Sequence, residues 1–157
     1  YCTMRTINDK ESLSLSAEHL IQGETSLISS LANISSLIHS TWSPVSFWCG
    51  FYLVNNNRLE LGPFQGPVAC TAVQYAKGVC GKSWANNETV IVKNVHEFEG
   101  HIACSNLTNS EIVTPIIVKD EVVGVLDIDS EQFDAFNKHH QVEMELICAN
   151  IARQFFN

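Results

Sequence analysis

The chain has 157 residues, 45% of them hydrophobic and 17% charged, and a formal net charge of −8. That length suits a single domain over residues 1–157 with a real hydrophobic core, and the charge argues against nucleic acid and against an anionic membrane surface. No apolar run is long enough to span a bilayer, and a core of this size needs no disulfide staples, so the six cysteines read as reduced thiols of a cytoplasmic protein.

Residues 1–13 carry no clear period and read as a loose lead-in. Over 14–40 a helical rhythm appears, with Leu20, Leu27, Leu31, Ile34 and Ile38 on one side and polar residues on the other. Gly23 lowers helix propensity there and marks a bend or a break into two helices. Trp42, Ser43 and Pro44 end the helix. Residues 45–54 are aromatic and β-branched, hence a buried strand, and 58–61 return from a turn at Asn55–Asn57. Gly62, Pro63, Gly66 and Pro67 predict an irregular connection, followed by a third strand over 68–75. Gly78 and Gly81 frame a turn into a short helix through Ala85, and 89–95 form another strand. Residues 96–109 are polar and aperiodic, a long loop of the kind that carries function. A hairpin of 112–118 and 122–128 follows, then a helix to Phe155 capped by Asp134, with Val142, Leu146, Ala149 and Ala152 as its buried stripe. Hairpins outnumber crossovers. The fold class is α/β (α+β): a largely antiparallel central sheet of about six strands flanked by N- and C-terminal helices.

Three cysteines, Cys70, Cys80 and Cys104, fall within 35 residues, and none belongs to a C-x-x-C pair. That speaks against a zinc ribbon and against a thioredoxin-type motif. Each lies near glycine and small residues, the setting of thiols that react rather than pack. Cys2, Cys49 and Cys148 read as structural. His96 and His101 flank the start of the loop that carries Cys104 and, with the three thiols, offer zinc donors, but at spacings that match no common zinc signature.

Trp48 and Tyr52 share a strand face, with Gly50 between them as an open floor. Two rings flanking a gap either clasp a methyl or thioether group or simply pack the core. Phe47, Cys49 and Phe51 take the opposite, core face. Asp127 and Asp129 share a face at the end of an apolar strand. Unpaired buried charge is costly, so they bind an ammonium group, bind Mg²⁺, or stand in solvent. Glu111 opens the neighbouring strand of the same hairpin, which brings the three carboxylates to one end.

The segments WCGFY, LGPFQGPVAC, KGVCG, GHIAC, SEIVTPII and GVLDIDS, spread over about residues 42–130, resemble in order those of the free methionine-R-sulfoxide reductases, which are built on a GAF domain. Generic GAF sensors share that fold but lack this cysteine set. The resemblance implies a GAF-like fold and reduction of free methionine-R-sulfoxide without a bound metal or organic cofactor. It implies that Cys104 is the nucleophile, Cys70 the principal resolving thiol and Cys80 a second resolver. It implies that Trp48 and Tyr52 surround the substrate methyl, that Glu111, Asp127 and Asp129 hold its polar groups, and that an external dithiol such as thioredoxin resets the enzyme. A homodimer through the terminal helices is a further expectation. Two other readings remain: a non-catalytic GAF module that binds a small ligand or senses redox state, and a zinc-bound or redox-switched scaffold.

Overall fold

The protein is described here by a computed structural model covering residues 10–157; Cys2 lies outside them. The helical rhythm forms two helices, α1 (Leu13–Ile21) and α2 (Leu27–Thr41), separated at Gly23. Each begins on a serine whose side chain accepts a backbone N–H: Ser12 from Leu15 and Ser26 from Ser29. Then come β1 (Trp48–Asn55), β2 (Arg58–Gln65), β3 (Ala72–Gln74), α3 (Gly78–Asn86), β4 (Val90–Val92), a 3-10 turn (Val95–Glu97), β5 (Ser110–Val118), β6 (Glu121–Ser130) and α4 (Lys138–Phe155).

The six strands form one sheet in the order β3-β2-β1-β6-β5-β4, and every neighbouring pair is antiparallel. Strand residues alternate between two faces. On one face Cys49, Phe51, Ile112, Ile116, Leu126 and Ile128 form a continuous apolar core with α1, α2 and α4. On the other face Trp48, Tyr52, Val113 and Val125 pack with Val79 and Cys80 of α3. This second face is covered by α3 and loops rather than by long helices.

Several expectations are corrected. Strand β2 runs to Gln65 instead of stopping at Leu61. Gly62 and Pro63 sit where the β1–β2 register slips, between the pairs Tyr52↔Leu61 and Gly50↔Phe64, so the strand absorbs them as a bulge. Strands β3 and β4 are shorter than the apolar runs suggested. The cap of α4 is Asn137, which accepts the His139 N–H at 2.9 Å, while Asp134 sits three residues earlier at φ 48. The buried stripe of α4 is Met144, Ile147, Cys148, Ile151 and Ala152, so Val142, Leu146 and Ala149 face outward. The helical period holds and Ala152 lies on the buried side as expected, but Val142, Leu146 and Ala149 are apolar residues of the outward face.

Candidate active site

Sheet register brings the acids together. Glu111 on β5 lies opposite Asp129 on β6, Asp129 lies opposite Trp48 on β1, and Asp127 lies opposite Gly50. Cross-strand partners share a face, so Trp48, Tyr52, Glu111, Asp127 and Asp129 all point into one pocket under α3 and the loops. Cys80 enters from α3, and Cys104, Thr108 and His101 enter from the loop 98–109. That loop is clamped at its far end, where Asn109 accepts from Val95 N–H and donates to the Ser130 carbonyl. The pocket is partly open to solvent and offers about 40 Å³, room for a few waters.

Cys70 and Cys104 are joined in a disulfide across a sequence separation of 34, with Cα atoms 5.5 Å apart. Cys70 sits on the connection between β2 and β3. Two hydrogen bonds hold the carbonyls of that connection to β1. The Trp48 Nε1–H donates to the Pro67 carbonyl at 3.0 Å, and the Tyr52 hydroxyl donates to the Cys70 carbonyl at 2.9 Å. Cys80, Cys49 and Cys148 are free and buried. Cys49 and Cys148 belong to the helix-side core, with the Cys148 thiol 3.8 Å from the Thr114 carbonyl oxygen.

The electrostatics of the pocket are those of too many acids in too little water. Burial pushes the Glu111 carboxyl well above the usual carboxylate range, and Asp129 adds to the effect. Burial and then Glu111 raise Asp127; burial and then Asp127 raise Asp129. Burial also raises the Cys80 thiol, reinforced by Asp127 and Glu111, so Cys80 rests as a thiol. His101 Nε2 lies 3.6 Å from Glu111 Oε2, but burial holds the His101 pKa below its ordinary value. The imidazole is therefore neutral at neutral pH, and the contact is not an ion pair.

One oxygen of each aspartate, Asp127 Oδ1 and Asp129 Oδ1, is buried without a partner in good hydrogen-bond geometry, as is the Thr108 hydroxyl on the same wall. The acids nevertheless lie close enough to interact with their neighbours, Glu111 with both aspartates, Cys80 with Asp127 and Thr108 with Asp129. An oxygen left unpaired costs roughly 1–3 kcal/mol, more when charged, so a water or a bound group that donates to it is stabilising here. Among the described residues, the donor atoms of Cys80, Glu111 and Asp127 all lie within 4.8 Å of one another and are the nearest approach to a metal site. In the disulfide form the zinc set of His96, His101, Cys70, Cys80 and Cys104 loses two of its donors, because Cys70 and Cys104 are bonded to each other.

Three residues behave differently from their first reading. Phe47 lines the pocket instead of joining the helix-side core. Gly50 is not an open floor: a Cβ there would lie 2.3 Å from Phe64 Cβ and 2.6 Å from the Trp48 ring. Phe64 instead fills the space, stacked on Trp48 with centroids 5.3 Å apart. Phe64 backs the pocket wall from behind Trp48, on a stretch that its glycines and prolines mark as an irregular connection. Thr108 was missed as one polar residue in a polar loop.

A curled antiparallel sheet with helices on one face and a loop-covered pocket on the other is the architecture of GAF domains, and a GAF domain model matches residues 29–153. The chain belongs to this family. Within it, the chain is 42% identical over 134 residues to the free methionine-R-sulfoxide reductase of Escherichia coli (strain K12), covering 85% of this chain and 81% of that protein. It is 44% identical over 134 residues to the Saccharomyces cerevisiae (strain ATCC 204508 / S288c) protein of the same name, covering 81% of this chain and 74% of that one. The free methionine-R-sulfoxide reductase of Neisseria meningitidis, solved in complex with its substrate, superposes with a TM-score of 0.92 at 34% identity, over 97% of this chain and 96% of that one. The chain is a member of the free methionine-R-sulfoxide reductase family.

Proposed function

We propose that this protein reduces free methionine-R-sulfoxide to methionine, with Cys104 as nucleophile. The observation that carries the reading is a disulfide-bonded Cys70–Cys104 pair at a pocket whose far wall holds buried, unpartnered carboxylate oxygens. A free amino acid supplies what that wall lacks, an ammonium group to donate to Asp127 and Asp129. Trp48 and Tyr52, with ring centroids 6.0 Å apart, offer the substrate methyl an aromatic face.

The Cys104 thiolate attacks the sulfoxide sulfur while a carboxylic acid gives a proton to the oxygen. Thiolate, sulfoxide and proton become Cys104 sulfenic acid and methionine. The carboxyls of Glu111, Asp127 and Asp129 are all raised by burial and by one another, which favours a shared proton within the cluster as the one donated. The Cys70 thiol condenses with the sulfenic acid, releasing water and forming the disulfide. An external dithiol, thioredoxin in our reading, then reduces it by exchange. Cys80, held as a thiol against the acids, stands in reserve as a second resolver. Carboxylates oppose a neighbouring thiolate, so the substrate ammonium offsets their charge and ties Cys104 activation to occupancy.

The test is a coupled assay with thioredoxin, its reductase and racemic free methionine sulfoxide, followed by chiral chromatography. We expect stoichiometric consumption of reductant, loss of the R epimer alone, and little turnover of peptide-bound methionine sulfoxide, which lacks the ammonium group. Comparable rates on the peptide substrate refute the ammonium pocket, and absence of turnover leaves the binding-module reading.

A further inference from the structure

The connection of residues 66–71 carries Cys70, yet it has no regular secondary structure of its own. Cys70 has to reach Cys104 on a different loop, and disulfide formation tolerates only a narrow range of Cα and Cβ separations. Something has to hold the connection in place. Its C-terminal end is held by the sheet, where the Leu61 N–H donates to the Thr71 carbonyl at 3.0 Å. Among the described residues, the side-chain hydrogen bonds that reach its carbonyls come from Trp48 and Tyr52, and one of them ends on the Cys70 carbonyl itself.

The donors are suited to the task. Both stand on β1, whose backbone is paired on both sides by β2 and β6. Trp48 is 4% exposed and Tyr52 3%, so both donors are fixed by packing, while their acceptors lie nearer the surface, Pro67 exposed and Cys70 half-buried. Gly66 tightens the seat: at φ 125 it runs so close that a Cβ would lie 2.8 Å from the Trp48 ring and 3.0 Å from the Phe47 carbonyl. Phe64, stacked on Trp48, fixes the strand end from which the connection departs.

We propose that Trp48 and Tyr52 are positioning residues for the resolving step: their N–H and O–H groups pin the Cys70 connection to the sheet so that its thiol meets the sulfenic acid on Cys104. The same two rings line the pocket, so one pair of side chains serves both halves of the cycle, the ring faces toward substrate and the polar edges toward Cys70. This rests on the reading of Cys104 and Cys70 given above, and its test is arranged to be independent of the sulfoxide.

Tyr52→Phe and Trp48→Phe each keep an aromatic ring and remove one donor. Hydrogen peroxide replaces the sulfoxide as oxidant: the Cys104 thiolate takes one oxygen to become sulfenic acid and hydroxide is released, whatever the natural substrate is. The sulfenic acid then partitions between a cyclic 1,3-dione trap and condensation with Cys70, and mass spectrometry reads the ratio of adduct to disulfide. Loss of one part-buried hydrogen bond at the Cys70 carbonyl predicts a ratio up to about tenfold higher in Tyr52→Phe, a smaller rise in Trp48→Phe, whose bond ends three residues from the thiol, and the largest rise in the double variant. A purely structural role lowers the unfolding midpoint and leaves the ratio alone. A parent-like ratio in the double variant overturns the proposal. A failed sulfoxide assay beside a raised peroxide ratio refutes the substrate and keeps the positioning pair.

Discussion

The two faces of one sheet carry different work with residues that alternate along the same strands. On β1, Cys49 and Phe51 point to the helices and are sealed among Leu31, Ile34 and Ile151, all fully buried. Trp48 and Tyr52, one position out of phase, point to a pocket with three acids, a disulfide and several unpartnered oxygens. The helix-side face is stabilised chiefly by burial, at roughly 25 cal/mol per Å² of apolar surface. The pocket face gives up part of that stabilisation by burying three acids, whose ionisation burial opposes. A period-two alternation is thus enough to divide stability from chemistry, provided one face is capped by long helices and the other by loops.

The sharpest way to break this division is to exchange the readouts. Cys104→Ser should abolish turnover outright, because no other atom at that position forms a sulfenic acid, while the unfolding midpoint of the reduced protein stays close to that of the reduced parent. Phe51→Ala should do the reverse. It is fully buried and its loss should cost about 3–5 kcal/mol of stability, measurable by urea unfolding, with turnover per folded molecule retained. Large loss of specific activity in Phe51→Ala, or retained turnover in Cys104→Ser, would show that the faces are not independent.

The division also explains what was legible in the chain itself. The β5–β6 hairpin and the break at Gly23 follow from alternation and from one glycine, both local signals. The convergence of Glu111 with Asp127 and Asp129 was legible too, because a hairpin fixes which residues face each other. The phase of α4 was not, since Val142 and Leu146 are as apolar as the residues that are buried; only packing against α1 and β5 selects the stripe. Nor was the seat of the Cys70 connection. The two donors and two carbonyls that make it are 18 or 19 residues apart in sequence, and no local pattern announces such a bond. Phe64 and Gly50 form a pair legible only once register is known, the glycine being empty so that the phenylalanine fits.

The smallest predicted effect sharpens the electrostatic half of the comparison. Glu111, Asp127 and Asp129 all have folded pKa values above their ordinary ones, with burial the first cause. An acid raised in this way is neutral in both states at low pH, so its contribution to stability is fully present below the unfolded value. As pH rises above that value the unfolded chain ionises and the folded one resists, so stability is lost until the folded pKa is passed. His101 and His140, lowered by burial, slope the other way: their contribution is present above the ordinary histidine value and is lost as pH falls through the folded one. The parent alone therefore mixes two trends, and the informative quantity is its difference from Glu111→Gln, which keeps both histidines and removes one ionisable group. Denaturant unfolding of the reduced, ligand-free proteins from about pH 5 to about pH 8 should show the variant gaining on the parent as pH rises. Saturating methionine should narrow that gap, because its ammonium group gives the parent's ionised acids the partner they lack. A difference that is flat with pH, or that grows in the parent's favour, would mean that Glu111 is stabilised as a carboxylate within the fold and is not the proton-holding member of the pocket.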